Sequence, residues 1–390
     1  MKMNFTHRII MFLGLSLLGM PMFAQGLLIQ KKDGSQIRIP YEELDQMTVY
    51  EDSPVAGKYL KGTFVLNEGN FSSENGKLVF ISPEGTVTDS VYFKENGSHL
   101  GHSSQDLYIN NGKVYIISQD NKMNGDGILV VADAATLKKE AAYTEELAAL
   151  SSPTHVAVLG IQAYIRDNNG VNLFNLDTKE VKLIEGTEAA GSYSCKNRMA
   201  VVGNKVYALG GEELLMMENG KLVKSIAMGG NISGVVAGTN GILWVSLDAQ
   251  PAKMVKMDGQ DGSILETNTL EEGFSLGAGW GATPAFSAKG DTLYFSNAST
   301  EISRHIFSQK KTEKMTNVTE HVADAKMAYN NLGVHPVTGQ VYFTAIKGYG
   351  TDYLINDIIV FDFDKQKAPV ADYKNVTSFP AGVFFTESYQ

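Results

Sequence analysis

The stretch "NNGKVYIISQDN" (110–121) decides the fold, because the chain keeps rewriting it. "VGNKVYALGGEE" (202–213), "AKGDTLYFSNAS" (288–299) and "VTGQVYFTAIKG" (337–348) carry the same phrase: a tight turn, an aliphatic residue, an aromatic residue, then small and polar residues. Aligning the aromatic gives Phe64, Tyr115, Tyr164, Tyr207, Trp244, Tyr294 and Tyr342, with steps of 51, 49, 43, 37, 50 and 48 residues. A period of that size, written in short strands, is the period of β-propeller blades.

Each unit has the same internal order. A first strand precedes the turn ("DLYIN", "HVAVL", "RMAVV", "GVVAG", "PAFSA", "LGVHP") and the aromatic strand follows it. A third strand comes next ("ILVVADA", "VNLFNLD", "LLMMEN", "KMVKMD", "HIFSQ", "IIVFDFD"), then a weaker fourth such as "KLVKSIAM". Asn-Gly, Asp-Gly and Gly-Asn pairs between strands supply the positive φ angles of tight hairpins. The first unit, "LKGTFVLNEGN" (60–70), lacks an opening strand, and "FPAGVFFT" (379–386) is an opening strand with nothing after it. The two ends together complete one blade. The expected fold is all-β: a seven-bladed propeller over 58–390, with a small extension over 25–57. That extension reads as a hairpin around Asp33-Gly34, a short helix begun at Pro40 and a linker, "EDSPVAGK".

The 390 residues are 43% apolar and 19% charged, the composition of a globular chain with a real core. Residues 1–24 read as a secretory signal: Lys2, His7 and Arg8, a short apolar run from Ile9 to Met20, and Ala24 before the cut. No later run reaches the ~18 apolar residues of a membrane span. The expected mature chain is therefore exported, to the periplasm, the cell surface or the medium. Without Lys2 and Arg8 it holds 31 basic and 43 acidic residues, a net charge of −12, which argues against nucleic acid as a partner. Cys195 is the single cysteine, so no internal disulfide is possible, and no cysteine marks a lipid anchor at the cut.

"FVLNEGN" (64–70), "NGKLVFISPEGTV" (75–87) and "SSQDLYINNGKVYIIS" (103–118) resemble the YncE-like, surface-layer-type seven-bladed propellers of Bacteroidetes. The resemblance covers the ring, and it implies the same fold. It is similar in particular to the BtuG type, which implies capture of a corrinoid and its delivery to a TonB-dependent outer-membrane transporter. The chain departs from that type in lacking the anchor cysteine.

The loops from second to third strands, and those joining one blade to the next, fall on one face of a propeller. Here they collect Asn67, Glu68, Asn70, His102, Asp120, Asn121, Asp167, Asn168, Tyr193, Asp248, Trp280, Asn297, Tyr329 and Tyr349. Amides, a few acids and aromatics suit an organic small molecule or a glycan, although Asn and Asp also build turns wherever they occur. Amide groups on a corrinoid would find both donors and acceptors in such a rim. A glycan is the near competitor, and a partner protein of the cell surface is a third reading. No cofactor is expected and no metal ligand set is read, a structural calcium elsewhere on the rim staying open. "HLGH" (99–102) lacks a third ligand, and in "DNKMNGDG" (120–127) Lys122 stands where a calcium loop needs oxygen. Nor is catalysis expected. A lyase or lactonase of propeller type would draw its base from His155 or His335, yet the first follows Pro153 by two residues and the second precedes Pro336, where capping or packing explains each. "DSV" (89–91) and "DTL" (291–293) match a short glycosylation pattern of Bacteroidetes, the second of them within a strand.

Overall fold

A computed structural model describes residues 26–30, 35–43, 57–70, 73–188, 195–277, 283–348, 352 and 355–386. The expected leader, Asp33-Gly34, and the rim residues Tyr193, Trp280 and Tyr349 lie outside the described residues. The chain divides into two compact units, one ending at Pro54 and one beginning at Val55.

The first unit is an antiparallel pair, Gly26–Gln30 with Gln36–Pro40, followed by a single 3-10 turn over Tyr41–Glu43. Pro40 ends the second strand there, because the strand pairs as far as Gly26↔Pro40 before the chain turns.

The second unit contains seven four-stranded antiparallel sheets. The first strands are Pro380–Phe385, His102–Asn110, His155–Leu159, Ala200–Val202, Ile232–Ala237, Phe286–Lys289 and Met327–Val334, for blades 1 to 7. In blade 1 the last strand of the chain pairs with Thr63–Asn67, from Thr63↔Phe385 to Asn67↔Pro380. The ring thus closes by joining the chain ends.

Second strands are apolar throughout because both of their faces are covered. In Lys113–Asp120, Val114 and Ile116 pack towards blade 1, while Tyr115 and Ile117 pack towards blade 3. This two-sided burial is why the strand reads as a continuous apolar run, without the polar alternation of a half-exposed sheet. The recurrent aromatic has a further task. The Tyr164 hydroxyl accepts the backbone N–H of Gly220 at 2.8 Å, and the Tyr207 hydroxyl donates to the Gly259 carbonyl at 3.0 Å. Both glycines lie in the outer turn of the following blade. Trp244 meets Phe307 edge-on at 4.8 Å, and Tyr342 meets Phe385 at 5.3 Å. Each aromatic therefore fastens its blade to the next. Gly220 has φ 73°, and a Cβ there would meet Leu173 at 2.4 Å, so only glycine lets the turn come this close. Tyr164→Phe leaves a buried N–H without an acceptor; urea denaturation is expected to show a loss of about 1–3 kcal/mol.

Two elements differ from the sequence expectation. The third strand of blade 6 is Glu301–Ile306, and the "FSQ" of "HIFSQ" forms a 3-10 turn with Phe307 buried. The apolar run was continuous across the boundary because Phe307 packs on Trp244 of blade 5. Between blades 1 and 2 a six-residue helix, Val91–Asn96, buries Val91 and Tyr92. Val91 of the "DSV" triplet is thereby in the core.

Candidate functional site

Strand order places two kinds of connection at opposite ends of the ring. The loops from second to third strands and the links between blades share one end, called here the loop end. First-to-second and third-to-fourth turns share the other, the turn end. Every described rim residue falls at the loop end.

Most of these residues are occupied with backbone. Asn67 Oδ1 accepts from the Thr377 hydroxyl and, at 3.2 Å, from Ser378 N–H, which seals blade 1. The Asn70 carbonyl accepts from Ser73 and Glu74. Asn121 Nδ2 donates to the Gly125 carbonyl at 2.9 Å. Asp167 accepts from the N–H groups of Ser151, Asn169 and Gly170 at 2.8–3.0 Å. Asn168 is exposed and donates to the Ser151 hydroxyl. Asn297, at φ 50°, accepts from Gly277 N–H at 2.9 Å, and Asp248 is exposed. His102 is buried and its Nδ1 lies 3.0 Å from Asp120. Burial pushes Asp120 up, but the Lys122 ammonium and N–H, aided by His102, hold its carboxyl below the usual range.

Two rim residues meet at the axis. Glu68 Oε1 accepts from the Tyr329 hydroxyl at 3.1 Å and from Asn330 Nδ2 at 3.2 Å, and Gln105 also bonds the carboxylate. Three blades converge on this one group: Glu68 from blade 1, Gln105 from blade 2, Tyr329 and Asn330 from blade 7. Burial pushes the Glu68 carboxyl up to about 7, against the three hydrogen bonds. The residue as a whole nevertheless keeps some exposed surface. Below it, Arg198 Nε donates to Asp106 at 3.1 Å and stacks over the Phe384 ring at 4.3 Å. Asp106 also accepts Val156 N–H at 3.2 Å, and burial, opposed by Arg198, pushes its carboxyl up to about 6. Asn197 Nδ2 reaches the Thr283 carbonyl at 3.0 Å. These contacts tie six of the seven blades across the centre.

Gln105, Asp106, Asn330 and Arg198 escaped the sequence reading. For the first three the signal was present as "SSQD" (103–106) and "YNN" (329–331), at the start of apolar first strands. The structure turns these residues inward through bulges, between Ser104 and Asp106 in blade 2 and between Ala328 and Leu332 in blade 7. A bulge re-aims side chains without a change of composition that a period count would register.

Of the two histidines considered as bases, His155 is buried at the loop end, 2.9 Å from the Thr154 hydroxyl. His335 lies in a turn at the other end, where Nδ1 accepts from Val337 and Thr338 N–H, both at 3.2 Å. The two stand at opposite ends of the ring and form no shared site. No group of three His, Cys, Asp or Glu among the described residues is arranged to hold a metal. No helix among them is long and apolar enough to cross a membrane.

A cavity of about 770 Å³ runs along the axis. Aliphatic first-strand residues such as Val201, Val235, Leu332 and Val383 wall it, Arg198 and Thr283 stand at its inner end, and it reaches the turn end at Asn111 and Asn240.

These features define a closed seven-bladed propeller with a polar cluster at the loop-end axis. The chain belongs to the family DUF5074, described as a domain of unknown function, whose pattern matches residues 61–386. No curated protein matches it. Among solved structures, it is similar to a quinonprotein alcohol dehydrogenase-like protein from Bacteroides thetaiotaomicron, at 15% identity and TM-score 0.61, covering 84% of this chain and 79% of that one. That likeness shows the propeller fold. Weaker likenesses are to the dihydro-heme d1 dehydrogenase NirN (13% identity, TM-score 0.49, 89% and 78% covered) and the Pan2 WD40 domain of Neurospora crassa (9%, 0.44, 66% and 75%).

Proposed function

We propose that this chain is an exported, non-catalytic propeller that captures an amide- or hydroxyl-rich nutrient at its loop end, a corrinoid or a ligand of that kind, for an outer-membrane transporter. The observation that carries the reading is Glu68: a carboxyl at the axis, on a residue that keeps some exposed surface, fixed by three blades and brought by burial to titrate at about 7. At neutral pH such a group exists in both protonation states. It can donate to a ligand carbonyl as the acid or accept from a ligand N–H or O–H as the carboxylate. Tyr329 and Gln105 beside it add a phenol and an amide on a rigid scaffold, so little ordering cost remains on binding. A glycan asks for the same groups and is the competing ligand.

Calorimetry of the mature chain against cyanocobalamin and a glycan panel tests this. Saturable binding is expected with one of them, weakened tenfold or more by Glu68→Ala and retained by Glu68→Gln, which keeps a donor and an acceptor in place. No heat with either class would sink the proposal. A second reading rests on the axial cavity, whose size and apolar wall suit a smaller organic molecule with one polar end at Arg198 and Thr283. Binding that survives Glu68→Ala and is lost in Leu332→Trp would place the ligand there.

A further inference from the structure

Arg166 ends the second strand of blade 3 and is 1% exposed. It stands in register opposite His155, so the two side chains leave the same face of the sheet. Tyr164, two residues earlier on that face, packs with Val206 and Met217 of blade 4. Arg166 therefore points between blades 3 and 4, near the loop end. Its Nε, Nη1 and Nη2 are all buried, and among the described residues they find no oxygen or nitrogen acceptor; the Cys195 thiol is the side chain that bonds the guanidinium. Arginine does not give up its proton in proteins. A full positive charge with five N–H donors thus lies in the interior, where an unbalanced charge is among the costliest groups a fold can hold.

Lys196, partly exposed, is a second cation here; burial pushes its ammonium down, Asp167 opposes that, and Arg166 pushes it further down. The nearby acid is Asp167, and its oxygens are committed to the N–H groups of Ser151, Asn169 and Gly170. Cys195 is buried beside the guanidinium.

We propose that Arg166 and Lys196 form an oxyanion-binding site between blades 3 and 4, filled by the carboxylate of a ligand or by free inorganic phosphate. A guanidinium fork matches two oxygens of either group, and an ammonium adds a point charge to a third position. Lys196, with its exposed side, marks the approach. The site stands apart from Glu68 and does not depend on what binds there.

Thermal unfolding of the full chain tests it, in sodium phosphate or sodium acetate at an ionic strength held with sodium chloride. A saturable rise in Tm of roughly 2–4 °C over chloride is expected in at least one arm. A response to acetate identifies a carboxylate site, and a response to phosphate alone an inorganic-anion site. Arg166→Met is expected to melt no lower than the parent in chloride and to respond to neither anion. If that variant does not fold, Lys196→Met carries the test with a weakened response, while Lys221→Met, on the exposed outer strand of blade 4, responds as the parent does. A parent that responds to neither anion overturns the proposal, as does an equal response in Arg166→Met or Lys196→Met. Thiolate absorbance at neutral pH, lost in Cys195→Ser, together with a flat anion response would assign the counter-charge to Cys195 instead.

Discussion

A chain that stops at Ser378 is expected not to form a stable ring. The lost strand, Pro380–Phe385, is the innermost strand of blade 1 and pairs with Thr63–Asn67 along its length. It also buries Ala381, Val383 and Phe384, with Phe384 in the core shared with blade 2 and Val383 in the core shared with blade 7. Arg198 loses the ring it stacks on, and Asn330 loses the Pro380 carbonyl it bonds at 2.8 Å. Removing one buried aromatic alone costs about 3–5 kcal/mol. Two further core residues and a whole ladder bring the loss to the order of a domain's entire stability, about 5–15 kcal/mol. Circular dichroism and size exclusion of the truncated chain check this; an unchanged Tm and elution volume would mean that the ring is held without its closing strand.

The second expectation concerns pH. Glu68 and Asp106 have folded-state carboxyls near 7 and near 6, against ordinary values of 4.5 and 3.8. Both are raised, so the folded chain binds more protons than the unfolded chain between those limits. Their stabilising contribution is complete below about pH 4 and is lost as pH rises through 6 and then 7. At 1.36 kcal/mol per pKa unit, the loss is at most about 3 kcal/mol for each group. Stability measured by urea denaturation is expected to fall from pH 5 to pH 8. Glu68→Gln removes one share: it should match the parent near pH 4.5 and exceed it by up to about 3 kcal/mol at pH 8. Parallel profiles for the parent and the variant would mean that Glu68 is ionised in the fold at no cost.

The rim was legible as a list and not as a site. Loop residues such as Asp167 and Asn121 could be assigned to one end from strand order, but not told apart from turn formers, because a carboxylate that caps its own loop and one that meets a ligand have the same sequence signature. Glu68 and Tyr329 were both on the list, 261 positions apart. Nothing in the chain says that they touch. Arg166 was hidden for another reason: it closes "QAYIRD", where a charged residue at a strand end reads as solvated, and only the docking of blade 4 buries it.

What the sequence determined by itself is the ring. The period of the aromatic phrase, the two-sided apolar strands and the half-blades at either end follow from local pattern, since each blade repeats one solution to burying both faces of a four-stranded sheet. What only the tertiary structure decided is where charge sits. The bulges at Gln105 and at Tyr329–Asn330 turn polar side chains to the axis, and the packing of blade 4 on blade 3 removes water from Arg166. Burial of an ionisable group depends on which distant strands arrive beside it, and that is a property of the closed ring, not of any stretch of the chain.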